Sequence, residues 1–348
     1  GGGVLSTTLI ATIFVFGLLV LFHEFGHFIT AKMVGMRVDE FAIGFGPKLI
    51  SFKRGETVYS LRVIPLGGFN KIAGMDPDEE QDERSYNTKP ILSRMLVILA
   101  GSFMNFVLPV LIFSIIFISS GITNPSNEPV LGEIIANKSA AQAGLAAGDR
   151  IIRIDDKSIG SWREFVEVVQ VSGGKVLKVH FERDGQVHDT SMIPEYDEAS
   201  KRALIGVVSS VDTYRPGILE SVGLAFKNTG VIFVKMVEGL TQMFTGKASA
   251  DVAGPIGVAQ MAGEVAQMGF LPLLQFAAFL SINLGIINLL PVPALDGGHF
   301  VTLILEAFRG KPLGPKSVQY AQMIGFVLLM GLMLFATFKD IIRLNLFG

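Results

Sequence analysis

Four long apolar stretches constrain the fold of this 348-residue chain more than any other feature. Each approaches or exceeds the roughly 20 residues that a helix needs to cross the hydrocarbon core of a bilayer. The composition agrees, because 50% of the residues are hydrophobic, 17% are charged and the mean hydropathy is +0.51. The sequence therefore predicts a membrane protein with four spanning helices, within residues 4–33, 91–119, 270–290 and 318–338.

The first apolar stretch contains a metal-binding motif, His23-Glu24-Phe25-Gly26-His27. Histidines four residues apart share one helix face, where both imidazoles can bind one zinc ion while Glu24 activates a water molecule. Ionisable side chains in a membrane-spanning helix are costly and usually work in a protected interior. The chain has no cysteine, so the ligands of any metal site must be histidines and carboxylates.

A catalytic zinc site has three protein ligands and one open position, so a third ligand must come from a distant segment. His180 and His188 lie in a soluble stretch and are interpreted as surface residues. Asp296 is the better candidate, because Pro291 and Pro293 interrupt the third helix just before it. Broken backbone at membrane depth is tolerated where it lines a cavity or is buried in protein. The ligand chemistry alone leaves iron or cobalt open beside zinc.

The distribution of basic residues predicts the orientation in the membrane. Lysines and arginines follow the first apolar stretch and flank the turn between the last two, so both connections are expected to be cytoplasmic. Both termini and the segment from Gly121 to about Met268 are then extracytoplasmic. The first and third helices run in the same direction, which puts the histidine motif and Asp296 at similar depth.

A β-hairpin is predicted between the first two helices. Two runs rich in β-forming residues, 49–54 and 57–64, flank the turn at Gly55 and Glu56. The hairpin is either a cytoplasmic surface feature or an edge strand beside the metal centre. Further along the chain, apolar residues recur at helical spacing within residues 216–268, which are too charged to span. That segment is expected to lie along the membrane surface or to pack on the helix bundle.

Residues 128–212 have a mixed, soluble composition, and their turn signals resemble those of a PDZ domain. Small domains of this kind capture extended peptides by strand addition. Resemblance to the circularly permuted bacterial form implies that the groove strand includes Ile205, Gly206 and Val207. The alternative is a folded spacer that binds no ligand.

Two motifs together resemble the site-2 protease family of intramembrane zinc metalloproteases. They are His23-Glu24-x-x-His27 and the segment from Asn288 to Gly297, Asn-x-x-Pro-x-Pro-x-Leu-Asp-Gly. With one PDZ-like insert, the chain is similar to the bacterial type that cleaves membrane-anchored anti-sigma factors and remnant signal peptides. Gly254-Pro255-Ile256 extends the resemblance, which covers essentially the whole chain.

The family resemblance implies roles for individual residues. His23, His27 and Asp296 would bind Zn²⁺, and Glu24 would be the general base. Asn283 and Asn288 would contact the substrate backbone or the oxyanion, although membrane asparagines also join helices. His299 is interpreted as a polar cap at the cytoplasmic surface, and Gly101 and Asn105 as residues of close helix packing. A separate expectation comes from the position of the hairpin next to the metal-bearing helix: Tyr59 and Leu61 would extend the substrate as part of a hairpin edge.

The function expected is therefore zinc-dependent hydrolysis of peptide bonds within transmembrane segments of single-pass proteins or signal peptides. The expected location is the bacterial cytoplasmic membrane, with the lipid bilayer as a further partner and no nucleic acid. The PDZ-like domain would exclude bulky ectodomains or capture a new C-terminus. The oligomeric state is left open.

Two other functions fit parts of the sequence. A metal-binding membrane transporter would also contain intramembrane histidine and aspartate, but it would have no special need for Glu24. A non-enzymatic PDZ scaffold would tolerate degraded ligands, and none of the motif residues is degraded.

The predicted fold is a polytopic α-helical membrane protein with a membrane-associated β-hairpin and one extracytoplasmic PDZ-like α+β domain. In chain order the predicted segments are helix 1 with the histidine motif (1–34), the hairpin and an acidic loop (35–90), helix 2 (91–121), the PDZ-like domain (128–212), the amphipathic segment (216–268), helix 3 with the aspartate motif (270–298) and helix 4 (318–340).

Overall fold

The computed structural model describes residues 2–249 and 252–345. The chain divides into two compact units. The membrane unit comprises Gly1–Ile118 and Gly217–Gly348, and the PDZ-like unit comprises Ser119–Pro216. Helices long and apolar enough to cross a membrane occur in four places in the described residues, which confirms the four predicted spans: Gly2–Met33, Ile91–Ser120, Phe270–Asn288 and Pro315–Leu344.

The first part of the membrane unit runs from helix to sheet and back to helix. Its elements are α1 (Gly2–Met33), β1 (Val38–Arg54), β2 (Thr57–Ile72), a 3-10 turn (Tyr86–Thr88) and α2 (Ile91–Ser120). The predicted turn lies between β1 and β2, where Gly55 has a φ of +63° that favours glycine. The hairpin is thus confirmed, with both strands extending beyond the predicted runs.

Strands β1 and β2 are bent, so that each pairs more than once. Residues 50–54 pair with 57–61 around the turn, while residues 40–43 pair with 58–61 and also with 68–71. Residues 58–61 are therefore paired on both sides. Residues 68–72, the last part of β2, are paired on one side only among the described residues. This segment is called the edge segment below.

The PDZ-like unit is fully described and consists of short strands and two short helices. Its elements are β3 (Ile122–Pro125), β4 (Leu131–Ile134), α3 (Ser139–Gln142), β5 (Arg150–Ile154), β6 (Lys157–Ser158), α4 (Trp162–Gln170), β7 (Leu177–Arg183), β8 (Gln186–Met192), β9 (Glu195–Asp197), β10 (Arg202–Leu204), β11 (Val207–Ser209) and β12 (Val211–Tyr214). Four strands form a sheet in the order β6-β5-β7-β8. The others form two-stranded pairs, β3 with β12, β4 with β11 and β9 with β10.

A single apolar core holds this unit together. Helix α4 begins at Trp162 and is capped by the preceding Ser161, whose hydroxyl accepts a hydrogen bond from the Glu164 backbone N–H. Phe165 of α4 is buried against strand residues that include Leu131 and Ile151. The predicted soluble domain is thus an autonomous packing unit, and its bounds are a few residues wider than the predicted 128–212.

The second part of the membrane unit is helical. It contains α5 (Ile218–Phe244), α6 (Pro255–Met268), α7 (Phe270–Asn288), α8 (Asp296–Arg309) and α9 (Pro315–Leu344). The predicted amphipathic segment 216–268 thus forms two helices. Of the two placements predicted for it, packing on the bundle describes α6, because Gly263 lies directly against the Thr8 side chain of α1.

The start of α6 is held by a carboxylate from α9. Asp340 is only 1% exposed and accepts hydrogen bonds from the backbone N–H groups of Gly254 (3.2 Å) and Gly257 (2.9 Å). A negative charge at a helix N-terminus satisfies unpaired N–H groups and opposes the positive end of the helix dipole. This contact joins α9 to the rest of the bundle.

The third apolar stretch breaks where its prolines predict a break. Helix α7 ends at Asn288, and Asp296 opens the separate helix α8. Ala294 in the connection has a φ of +77°, a left-handed conformation that a non-glycine residue seldom adopts. Gly325 of α9 lies directly against the Pro293 carbonyl, so the broken backbone packs against another helix of the membrane unit.

Candidate metal centre and active site

The metal motif lies where α1 and α2 cross closely. Gly26 packs against the Ala100 carbonyl, and Gly101 faces the rings of both motif histidines. A methyl group at position 101 would lie 2.5 Å from His27 Nε2 and 2.8 Å from His23 Cε1. The predicted close-packing role of Gly101 is confirmed, and its reason is room for the imidazoles.

Three potential ligand atoms converge on one point. The Nε2 atoms of His23 and His27 are 3.2 Å apart, and they lie 3.1 Å and 3.2 Å from Asp296 Oδ2. The three side chains are only 12–18% exposed. The predicted meeting of the histidine pair with Asp296 is thus confirmed.

This arrangement fits a zinc ion. Ligand atoms bound to tetrahedral zinc lie about 3.3 Å from one another, which is close to the three separations seen here. Asp296 Oδ2 is buried and accepts no hydrogen bond of good geometry from the described residues. A buried carboxylate oxygen facing two imidazole nitrogens is costly unless a cation lies between them. Among the described residues, this is the one group of three or more potential ligands close enough to share a metal ion.

The second nitrogen of each imidazole has a partner that orients the ring. His27 Nδ1 lies 2.7 Å from the Val97 carbonyl, which can only accept, so this nitrogen carries the proton and Nε2 is left with a lone pair. His23 Nδ1 lies 2.8 Å from Nδ2 of the Asn105 amide. The two ends of an amide have nearly the same shape, and rotating it so that Oδ1 faces the ring would give the otherwise unpaired Asn105 oxygen a partner and leave a lone pair on His23 Nε2 as well.

Glu24 borders a cleft of about 200 Å³ that also contains the three ligands. The edge segment forms part of the wall. There Gly68 approaches the Glu24 side chain, and Asn70 Nδ2 donates one hydrogen bond to the Glu24 carboxylate and one to the Glu24 backbone carbonyl. A carboxylate beside a metal site and an open cleft has the chemistry of a general base.

Helix α8, which begins at Asp296, is anchored by a buried ion pair and an apolar cluster. Arg94 of α2 makes two parallel hydrogen bonds to Glu306 of α8, at 2.8 and 2.9 Å, and both side chains are less than 15% exposed. Leu303 of α8 packs in the cluster that contains Tyr86, and burial raises the pKa of the Tyr86 phenol. These contacts fix the helix that presents the third ligand.

Two predicted substrate-contacting residues are not at the edge beside the metal. Tyr59 and Leu61 belong to the part of β2 that is paired on both sides, and neither lines the metal cleft. Tyr59 instead stacks on Phe52, with ring centroids 5.3 Å apart. The expected edge position of these two residues is wrong, because β2 extends beyond residue 64 and the edge segment is the part of it that lines the cleft.

The two predicted asparagines also lie outside the metal cleft. Asn283 is exposed on α7 and lines a mainly apolar cavity of about 430 Å³ together with Gln275 and Phe279. Asn288 is half-buried at the end of α7. His299 does line the metal cleft, although its position after Asp296 had favoured a polar cap.

In the PDZ-like unit, the predicted groove residues border a cavity. Ile205, Gly206 and Val207 line a space of about 560 Å³ together with Phe165 and Val169 of α4. The surface interpretation of the other two histidines agrees with the contacts that each makes within this unit. His180 pairs with Asp189, and His188 stacks on Phe181.

Sequence reasoning missed three contributors to the site. Asn105 was assigned to helix packing, but it contacts the His23 ring. Asn70 and the ion pair of Arg94 with Glu306 were not singled out. An amide in the middle of the apolar stretch of the second helix was the available signal for Asn105. The sequence gives no indication of which strand residue reaches Glu24.

Comparisons with known proteins place the chain in a family. Residues 11–332 match Peptidase family M50. The chain is 34% identical to the regulator of sigma-W protease RasP of Bacillus subtilis, in an alignment that covers 97% of this chain and 99% of that protein. It is 35% identical to the zinc metalloprotease RasP of Bacillus licheniformis, covering 97% and 100%.

Among solved structures, the chain is similar to the PDZ domain of an SdrC-like protein of Listeria innocua, at 22% identity. The match covers 26% of this chain and 99% of that domain, with a TM-score of 0.22. The family match and the full-length relatives show the activity as well as the family. The chain belongs to peptidase family M50, the site-2 proteases, and is an intramembrane zinc metalloprotease.

Proposed function

We propose that Glu24 is the general base for peptide hydrolysis at a zinc ion held by His23, His27 and Asp296. The observation that carries this proposal is the convergence of three buried acceptor atoms beside Glu24 in one cleft. When bound, zinc activates water and polarises the scissile carbonyl. Glu24 takes a proton from the attacking water and delivers it to the leaving nitrogen.

The substrate is bound as an extended strand along the edge segment. A helical substrate hides its carbonyl groups in internal hydrogen bonds, so the scissile region has to unwind before hydrolysis. The edge segment lines the metal cleft and has one unpaired side, which is the requirement for strand addition. This replaces the role that the sequence suggested for Tyr59 and Leu61.

The substrates are single-pass membrane proteins, including anti-sigma factors already shortened outside the membrane, and remnant signal peptides. The name of the Bacillus subtilis relative, regulator of sigma-W protease, supports the anti-sigma class of substrate. Asn283 and Asn288 contact the substrate on its way to the cleft. An amide in a membrane helix gains from a polar partner, and the Asn283 amide is exposed while that of Asn288 is half-buried at the end of α7.

The PDZ-like unit selects among substrates through the cavity that Ile205, Gly206 and Val207 line. It captures a newly made C-terminus or excludes bulky ectodomains. The protein lies in the cytoplasmic membrane with this unit and both termini outside. The basic residues after α1 and between α8 and α9 support this orientation.

The test of the catalytic proposal combines metal analysis with cleavage of a transmembrane peptide in proteoliposomes. Glu24→Gln is expected to retain zinc and to lose turnover by at least about 100-fold, the lower range for removal of a general base. Asp296→Asn is expected to lose zinc as well as turnover. Glu264→Gln, which changes an exposed carboxylate of α6, serves as the matched control.

The outcomes separate the enzyme from its rivals. A Glu24→Gln protein that cleaves at the normal rate would contradict the catalytic role and favour a metal-transport function. Cleavage that needs no metal would contradict the zinc site.

Strand addition can be tested by disulfide trapping, since the chain contains no cysteine of its own. Phe69→Cys in the edge segment is expected to crosslink to a substrate with a single cysteine next to the scissile bond. Tyr59→Cys is the control from the doubly paired segment. Equal trapping at both positions, or trapping at residue 59 alone, would contradict the edge proposal.

A further inference from the structure

The Asn70 side chain contacts Glu24 through its amide nitrogen. Asn70 Nδ2 lies 2.8 Å from Glu24 Oε2 and 2.8 Å from the Glu24 backbone carbonyl. Both partners can only accept when the carboxylate is ionised, so the nitrogen and not the oxygen of the amide must face them. The amide orientation is therefore determined by its partners, and both N–H groups are used on one residue.

The backbone that carries Asn70 is held firmly against α1. Asn70 pairs with Phe41 in the sheet, and the neighbouring Gly68 comes so close to α1 that a methyl group there would lie 3.2 Å from Glu24 Cγ. Asn70 Oδ1 is buried and has no hydrogen-bond partner among the described residues, and the residue lines the metal cleft. The amide is thus built into a strand rather than carried by a mobile loop.

We propose that Asn70 is a positioning residue for Glu24, an inference that rests on the proposed role of Glu24 as the base. The terminal torsion of a glutamate is broad, so a carboxylate without a fixed partner presents either oxygen to the cleft. The hydrogen bond from Asn70 occupies Oε2 and leaves Oε1 to exchange protons. One proton passes from the attacking water to Oε1, and then from Oε1 to the leaving nitrogen as the C–N bond breaks.

Asn70 itself gains and loses no proton in this sequence. The Asn70 N–H group donates to Oε2 both when Glu24 is ionised and when Glu24 is protonated. The proton is therefore always carried by Oε1, the oxygen that is left to exchange protons with the substrate and the attacking water. Removing the donor leaves the charge of the site unchanged. The expected effect is therefore on the rate of turnover, and substrate and metal binding remain as they are.

The experiment compares Asn70→Leu and Asn70→Val in the full chain in proteoliposomes. Both substitutions remove the donor without adding a charge beside Glu24, and leucine keeps the branched shape of the asparagine side chain. We expect kcat to fall about 10- to 100-fold, the range for loss of an orienting hydrogen bond at a metal site. We expect KM, zinc content and the unfolding temperature to stay at wild-type values. Gln260→Leu, which removes an amide donor from the exposed carboxylate of Glu264 on α6, outside the metal cleft, is the matched control.

Wild-type kcat in both variants would overturn the proposal, and an inactive Glu24→Gln protein in the same assay would leave the role of the base intact. A rise in KM at constant kcat would make Asn70 a substrate-binding residue and would also overturn it. If both variants lost zinc or failed to fold, Asn70 would be a structural residue, with the same consequence for the proposal.

Discussion

The PDZ-like unit and the metal centre of the membrane unit are stabilised by opposite kinds of internal packing. The PDZ-like unit has an apolar core of large side chains such as Leu131, Ile151 and Phe165, each at most 1% exposed. The metal centre of the membrane unit instead depends on small residues, with Gly26 and Gly101 bringing two helices and two imidazoles into contact. Lipid gives little hydrophobic drive to helix association, so close approach of backbones replaces bulky packing. Substitutions that remove side-chain volume should therefore destabilise the PDZ-like unit, whereas substitutions that add volume should disrupt the metal centre.

The largest effect is expected from adding one methyl group at the metal centre. In Gly101→Ala the new carbon would lie 2.5 Å from His27 Nε2, and helix α2 offers no space for it to move away. Zinc content should fall to background, and cleavage should drop by at least about 100-fold because positioning errors near 1 Å have effects of that size. Metal analysis and peptide cleavage measure both.

Gly17→Ala is the control, because a methyl group at this position of α1 would have no neighbouring atom within 4 Å. Normal zinc content and normal turnover in Gly101→Ala would show that the metal centre tolerates added volume, which would contradict the part of the comparison that concerns the metal centre.

The second expected effect comes from removing volume in the PDZ-like unit. Leu131→Ala should destabilise this unit by about 2–5 kcal/mol, the cost of a buried leucine and the cavity it leaves. Trp162 is the single tryptophan of the chain and lies in α4, so its fluorescence reports the unfolding of this unit. Zinc content should stay normal. Val176→Ala, at a residue that is 61% exposed, is the control, and equal unfolding midpoints for the two variants would break the comparison.

A smaller effect is expected from the residue that orients His23. Asn105→Ala should weaken zinc binding by about 10- to 100-fold, as loss of a ligand's hydrogen-bond partner usually does. Competition with a chelator measures the affinity. Ser114→Ala in the same helix is the control, since that hydroxyl bonds only the Val110 carbonyl of its own helix. An unchanged affinity in Asn105→Ala would mean that packing alone holds the ring.

The smallest effect concerns the hairpin turn. Hydrogen bonds from Arg84 and Lys32 lower the pKa of Glu56 from its ordinary 4.5 to about 2. The ionised Glu56 therefore stabilises the folded state above about pH 4.5, and this contribution is lost as the pH falls toward 2. Because water screens the interaction of Glu56 with the two basic residues, we expect it to add about 0.5 kcal/mol to the free energy of unfolding. Glu56→Gln should remove this part of the acid dependence of unfolding, and an identical pH profile would contradict it.

The sequence predicts the metal ligands well because their signals are local or chemical. His23 and His27 lie four residues apart on one helix, and Asp296 is the carboxylate that follows a proline-broken span. Apolar length predicts the four spans for a similar reason, since a bilayer sets one requirement for every helix. These predictions needed no knowledge of how distant segments pack.

The parts that the sequence could not predict are contacts between distant segments. The β-strand pattern of residues 57–64 is correct, but it does not show that β2 continues to Ile72 and bends so that residues 58–61 become interior. Tyr59 and Leu61 were therefore placed at the wrong edge. Helix α8 was missed because a short amphipathic helix of 14 residues lacks the length signal of a span.

The ligands of the zinc site come from two parts of the chain that share no secondary-structure element. Two belong to α1 and the third to α8, so an ion bound there would crosslink the N-terminal and C-terminal portions of the membrane unit. By mass action, a ligand that binds only the folded state raises the free energy of unfolding as its concentration rises. Removal of zinc by a chelator should therefore lower the free energy of unfolding of this protein as well as abolish its protease activity.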